Sequence, residues 1–420
     1  MFQRIAGHVK TVSSDMAYFD SANSSRVDER VIEAMLPYFR EFYGTAGLEL
    51  SHAQDVGALT GLENARKIIA ESLNADSRAI VFTSGVTESN NIAIQGSVKA
   101  KSGSRKHVIT SPIETQSVLK TIHSLKEFNF EIDTVNVDET GRVDLDHLKD
   151  LIQKDTFLIS IQHANGEIGT IQPIEDIAKI TSKNGIIFHT DASQSYLKIP
   201  LDTKKIPVDL ISIDAHRIHG PKGIGVLYIK RGTKISNITQ GGDEERRLRP
   251  GIENIPGAVG FAKAVEIWSA NEIEHFEKLS KHLKEKLAEN LTDYRVTGHP
   301  EKRLPNIFSI VIEQIEGESI LVQLDMDGFS VSTGSACSSK TLQGSHVLKA
   351  IGLPPEISHG SVRVSFSRYN TLEEIDELVE SLVPAVERLR EFSPLKTGVY
   401  FANDDSDEHD HHHDLPEDDW

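Results

Sequence analysis

From about residue 76 to residue 260 the chain alternates short apolar runs with helix-patterned segments, and that alternation limits the folds open to it. Ala79-Ile-Val-Phe-Thr83, Leu158-Ile-Ser-Ile161, Gly185-Ile-Ile-Phe-His-Thr190 and Gly225-Val-Leu-Tyr-Ile229 are too short for helices. Their near-continuous apolar content is the pattern of strands covered on both faces. Strands that alternate with helices predict an α/β fold, a mostly parallel sheet with helices packed on it. A helical pattern over roughly 258–290 should bridge to a second, smaller α/β unit. That unit should hold strands near 304–313 and 360–366, and a helix capped by Thr371 with acids in its first turn. The expected division is a large domain over 15–265 and a small C-terminal domain over 266–400 with the N-terminal segment packed nearby. An acidic, disordered tail over 403–420 completes it.

Composition excludes several function classes. No run of 18 apolar residues occurs, so no membrane span is expected. The first ten residues lack the apolar core of an export signal, and a cytoplasmic protein is expected. Cys337 is the single cysteine, which rules out intrachain disulfides and agrees with that compartment. Half of the formal net charge of −18 belongs to residues 403–420, and the remaining body is still acidic. An acidic body argues against general nucleic-acid binding. Within the tail, His409, His411, His412 and His413 stand among acids, a mixture able to ligate a transition metal without preset geometry. A solvated acidic tail with no specific metal is the competing reading.

Two stretches carry chemistry. Thr83-Ser-Gly-Val-Thr-Glu-Ser-Asn-Asn91 follows a strand and opens a helix, where free backbone amides favour an anion. Ser212-Ile-Asp-Ala-His-Arg217-Ile-His-Gly-Pro-Lys-Gly-Ile-Gly225 joins two apolar strands through a His-Arg pair and a tight turn. Together with Tyr18-Phe-Asp-Ser-Ala22, Asn165-Gly-Glu-Ile-Gly169, His189-Thr-Asp-Ala-Ser-Gln194, Arg249-Pro-Gly251 and Gly334-Ser-Ala-Cys-Ser-Ser339, these stretches resemble, in order, the motifs of the cysteine desulfurases. Those are fold-type I pyridoxal-phosphate enzymes of the class V aminotransferase group, and the resemblance covers about residues 15–395. It implies a seven-stranded large domain, a homodimer, and a sulfur-accepting cysteine at Cys337.

Carried over position by position, the resemblance divides the site. Asp191 matches the carboxylate paired with the pyridine nitrogen, Gln194 the contact to the ring hydroxyl, and Thr87 and His216 phosphate contacts. Five positions depart. Thr115 stands where the family has a ring-stacking histidine, and Gly166 where it has an asparagine. Asp214 replaces a phosphate-binding serine, and Ile252 a threonine that reaches the partner's phosphate. Arg217 replaces the lysine that holds the cofactor as an imine, which a guanidinium cannot form. The expectation is a pocket without pyridoxal phosphate in which Arg217 pairs with Asp191, Asp214 or both. Arg363 matches the substrate-carboxylate clamp and reads equally as a structural salt bridge.

The function expected from the sequence is therefore a sulfur-handling or iron–sulfur cluster assembly protein acting through Cys337 beside a transfer or scaffold partner. Cys337 would carry a persulfide, or ligate a metal or shared cluster. The alternatives are an active desulfurase with non-covalently held pyridoxal phosphate, and a metal-responsive binding protein that uses the tail.

Overall fold

The computed structural model describes residues 16–46, 52–101, 104–334 and 344–393. Seven strands form one sheet: β1 (Ile80–Thr83), β2 (His107–Thr110), β3 (Glu131–Thr134), β4 (Thr156–Ser160), β5 (Ile187–Asp191), β6 (Leu210–Asp214) and β7 (Gly225–Ile229). Their spatial order is β1-β7-β6-β5-β4-β2-β3. Every neighbouring pair from β6 to β3 is parallel, while β7 runs antiparallel to both β6 and β1. The 215–224 link explains the reversal, being shorter than the dozen or so residues a parallel crossover needs.

Side chains alternate between the two faces, as strand geometry requires. Ile80, Phe82, Ile109, Ile159, Phe188 and Ile211 enter one core, which helices α1 (Glu29–Met35), α2 (Ala53–Ser72) and further elements close with Val31, Leu62 and Ile69. Val81, Val108, Leu158, Leu210 and Leu227 face the opposite side. There α3 (Val86–Ala100) supplies Ile92 and Ile94, and α4 (Gln116–Ser124) supplies Val118 and Ile122. On the first face, α5 (Ile174–Asn184) adds Ile177, and α6 (Ile255–Glu266) adds Phe261.

A second core surrounds α7 (Asn271–Asn290), whose Phe276, Leu279, Leu283 and Leu287 lie on one stripe at helical spacing. An antiparallel sheet of β8 (Tyr294–Val296), β9 (Ile307–Ile312) and β10 (Ser361–Ser365), ordered β10-β9-β8, packs on it with α8 (Leu372–Phe392). Ala17 and Phe19 join this core, and Ala17–Tyr18 pairs with Phe329–Ser330.

The single helix expected over 258–290 is two, because the chain breaks between Glu266 and Asn271. The Ser269 hydroxyl accepts from the Asn271 amide at 3.2 Å, and Glu272 accepts from the Ser269 amide at 3.3 Å. This Ser-x-x-Glu spacing is a helix-start signal that stands in the sequence. Among the described residues no helix is long and apolar enough to cross a membrane.

Candidate active site

Parallel strands end at one edge of their sheet, and in open α/β folds that edge is where ligands sit. Thr83, Thr110, Ser160, Asp191 and Asp214 terminate β1, β2, β4, β5 and β6 along this edge. The loops that follow carry Thr115, Gly166, Gln194, His216 and Arg217, and Thr87 stands in the first turn of α3.

Asp191 is buried and its carboxylate is supplied with donors. Asn90 Nδ2 lies 2.9 Å and Thr115 Oγ1 3.3 Å from Oδ2, while the Ser193 amide reaches Oδ1 at 3.0 Å. Thr115 also bonds Ser117 Oγ at 3.1 Å, so this side chain ties a helix start to the carboxylate. Arg217 takes a different partner. Its Nη1 donates to Asp214 Oδ2, and its Nε donates to the Ala22 carbonyl at 2.9 Å. Of the two partners expected for Arg217, Asp214 is the one it meets. Asp191 takes three neutral donors instead.

Asp214 is fully buried, and His216 Nδ1 lies 3.5 Å from the same Oδ2. Its Oδ1 has no hydrogen-bond partner among the described residues. Burial lowers the His216 pKa, an effect Asp214 opposes and Arg217 reinforces. Gln194 Nε2 joins Arg217 on the Ala22 carbonyl, at 2.9 Å. That bond uses the space Gly166 leaves open: a Cβ at 166 would lie 2.7 Å from Gln194 Nε2. Lys198 lies behind, buried, with Nζ donating to the carbonyls of Gln194 at 3.0 Å and Arg217 at 3.2 Å. Burial, with the neighbouring Arg217 charge, lowers its pKa to about 8.

At the anion turn, Thr87 is exposed, and the amide of Ser84 donates to Glu88 Oε2 at 2.5 Å. Glu88 also pairs with Arg249 at 3.3 Å, so an internal carboxylate uses part of the turn's donor capacity. Ile252 is 72% exposed. Arg363 sits on β10 with Nη2 2.8 Å from Asp20 Oδ1 and Nη1 2.9 Å from the Gly166 carbonyl. The fork that would clamp a carboxylate is engaged within the protein.

Several residues the sequence reading left unassigned belong to this edge. Asn90 and Asp20 lie in motifs already noted, yet only their contacts reveal their work. Glu114 is buried, accepting from Ser111 Oγ at 2.5 Å and from the Gln162 amide at 3.0 Å. Burial pushes its pKa up to about 8, with the charge of Asp191 adding to the rise. Glu167, the third residue of Asn165-Gly-Glu, accepts from Ser345 Oγ at 2.8 Å, and burial pushes its pKa up to about 7. Cys337 and the tail residues His409, His411, His412 and His413 lie outside the described residues. Among the described residues no group of three or more His, Cys, Asp or Glu side chains is placed to hold a metal.

The class V aminotransferase family profile matches residues 17–378. The chain is 45% identical to the cysteine desulfurase IscS 1 of Archaeoglobus fulgidus, across 90% of this chain and 99% of that one. It is 43% identical to the cysteine desulfurase IscS of Methanosarcina thermophila, across 94% and 98%. A solved NifS-like protein superposes with a TM-score of 0.82 at 36% identity, covering 89% of this chain and all of the other. With this sheet order, this site edge and full-length similarity, the chain belongs to the class V aminotransferase family, among the cysteine desulfurases.

Proposed function

We propose that this desulfurase relative works without pyridoxal phosphate, as a sulfur-handling or iron–sulfur cluster assembly protein whose acceptor is Cys337. One observation carries the reading: at the position of the cofactor lysine, Arg217 turns its guanidinium onto buried Asp214. A guanidinium is protonated at any working pH and forms no imine. The carboxylate at 214 also takes up the Arg217 guanidinium, so that this cation is not free to receive a phosphate. The side chain of Gln194 further takes up space beside Gly166.

The sulfur then comes from a partner that already carries it. The Cys337 thiolate attacks the terminal sulfur of a donor persulfide R–S–SH, the donor S–S bond breaks, R–S⁻ leaves, and Cys337 holds S–SH. No external electrons are needed. The same thiolate could instead ligate a cluster shared with a scaffold protein. The working unit is proposed to be a homodimer. Phe39, Phe42, Tyr43, Val56 and Leu59 expose a set of large apolar side chains around α1 and α2 that a second copy would cover. The metal-binding reading of the tail remains a separate proposal, tested by metal stoichiometry before and after truncation at Asn403.

The test combines spectroscopy and sulfur loading. Purified protein supplied with pyridoxal phosphate is expected to show no lysine-bound cofactor absorption and to release no alanine from cysteine. With a persulfide donor or cluster source, sulfide or iron retained on the wild type should be lost in Cys337→Ala. Alanine release by the wild type would overturn the proposal.

A further inference from the structure

The seven-stranded sheet has a second edge, opposite the candidate site, where its parallel strands begin. Because β7 is antiparallel to β6, its C-terminal end falls at that edge and carries the turn 230–234 there. The Thr233 amide closes this turn onto the Lys230 carbonyl at 3.0 Å, and Gly232 supplies its left-handed residue with φ of 96°. Between the turn, the end of α3 and the starts of β4 and β5 lies a cleft of about 670 Å³.

Five basic side chains line the cleft, Lys101, Arg105, Lys230, Arg231 and Lys234, against one carboxylate, Asp209. That is a local excess of positive charge on a chain whose formal net charge is −18. The one carboxylate is already engaged, with Asp209 Oδ1 3.3 Å from Lys230 and Oδ2 accepting from the Phe188 amide at 3.0 Å. Arg105 Nη1 donates to two neutral groups, the carbonyls of Gly185 at 3.0 Å and Thr156 at 3.4 Å, which leaves its charge uncompensated. Arg231 and Lys234 are exposed, and no carboxylate among the described residues forms an ion pair with either. Asp76, which lies within the field of Arg231, is bound to Arg78 at 2.9 Å. Ser97 lines the same cleft from α3. It is 1% exposed, and its hydroxyl has no hydrogen-bond partner among the described residues. A buried hydroxyl left unpaired is destabilising, and an acceptor on a ligand would satisfy it.

We propose that this cleft binds a phosphorylated small molecule of nucleotide size. Its phosphates are held by Arg105, Arg231 and Lys234, and its ring lies against the half-buried Phe157, Ile187 and Pro207. The volume falls within the range of small-molecule sites, about 300–1,000 Å³, and such sites combine an apolar wall with a few placed polar groups. Guanidinium forks match phosphate oxygens, and cations from three separate segments converge on one concave space. That concavity favours a small molecule over an acidic protein. The site stands apart from Arg217 and Cys337 and holds whether or not the chain carries sulfur.

The test is titration calorimetry of the full-length protein with ATP, inorganic pyrophosphate and a poly-glutamate peptide. ATP is expected to saturate one site per chain, and pyrophosphate to compete more weakly because it leaves the apolar wall uncovered. The double variant Arg231→Gln, Lys234→Gln changes only exposed side chains. It should weaken ATP about a hundredfold, roughly tenfold for each lost charge-assisted contact. Phe157→Leu should weaken ATP and leave pyrophosphate unchanged. Lys281→Gln removes an exposed charge from α7, in the other core, and should change neither. No saturable ATP binding, or equal affinity in the double variant and the wild type, overturns the proposal. A loss of the same size in Lys281→Gln does so too, because net charge alone would then explain binding. Poly-glutamate that binds and resists displacement by ATP assigns the cleft to an acidic protein segment and equally sinks the small-molecule site.

Discussion

Arg217 and Asp214 behave as a unit, and their energetics follow from how little solvent either sees. Asp214 is fully buried and the Arg217 side chain is 16% exposed. Removing one partner of such a pair leaves an uncompensated charge, at a cost of about 3 kcal/mol or more. Arg217→Met should lower unfolding free energy by that amount in urea titrations, and Asp214→Asn combined with Arg217→Met should recover most of it. A single Arg217→Met that costs under about 0.5 kcal/mol would mean the pair is solvated in solution. Arg217→Lys alone is expected to gain no cofactor absorption, because the buried Asp214 would pair with the new ammonium and hold it protonated. A second residue-scale exchange concerns Gly166. Gly166→Ala brings Cβ against the end of the flexible Gln194 side chain, so the amide swings away and loses its bond to Ala22. The expected cost is about 1 kcal/mol, and it should vanish when Gln194 is already alanine. The identity of both substitutions was legible in the sequence. Which carboxylate Arg217 would choose was not, because the choice depends on the donors Asn90 and Thr115 bring from two different helices.

At the scale of elements, local signals served well where the partner is a neighbour in sequence. Thr371 and Glu374 form the capping box of α8, with the Glu374 amide 3.2 Å from Thr371 Oγ1 and the Thr371 amide 3.0 Å from Glu374. The turn at Glu245–Arg247 shows the opposite case. Glu245, Arg246 and Arg247 are three consecutive non-glycine residues with φ of 44°, 59° and 67°. Left-handed backbone costs about 1–2 kcal/mol per residue and survives only when something else holds it. The holder is remote in sequence. Arg66 grips the Glu245 carboxylate at 2.6 and 2.8 Å, and the Phe82 amide donates to it at 2.8 Å. Nothing in the local Glu-Glu-Arg-Arg string announces this, since it reads as a solvated charge run. Two neighbouring substitutions separate the effects. Glu245→Ala leaves the Phe82 amide without its acceptor and Arg66 with only Glu63 and the Ile80 carbonyl, and should cost about 3 kcal/mol. Arg247→Ala loses an exposed pair with Asp243 and should cost no more than about 0.5 kcal/mol. Equal costs in thermal or urea melts would show that the clamp does not carry the turn.

For the whole molecule, the strand-helix alternation and the ordered motifs made the family and the sheet legible, because both are written in contiguous residues. The electrostatics of the interior were not, since burial is a property of packing. Burial lowers His163, His189 and His219 to about 4 and raises Glu114 to about 8 and Glu167 to about 7. The histidines stay neutral in the native chain while the unfolded chain protonates near 6.5, so they withdraw stability as pH falls from about 6.5 to about 4. The carboxyls act in the opposite sense. Between 4.5 and about 8 the native chain keeps the Glu114 proton that the unfolded chain has released, and stability falls as pH rises. Between 4.5 and 6.5 the histidines and the carboxyls therefore oppose one another. Above 6.5 no histidine compensates, and unfolding free energy should decline towards pH 8. Lys198, at about 8, alters the slope only beyond that range. Glu114→Gln has no proton to lose, so its alkaline limb should be shallower than the wild type's by up to about 1.4 kcal/mol per pH unit. Urea titrations of both proteins across this window decide the matter. Parallel limbs would show that Glu114 already shares its charge with solvent, in contradiction to its buried hydrogen bonds with Ser111 and Gln162.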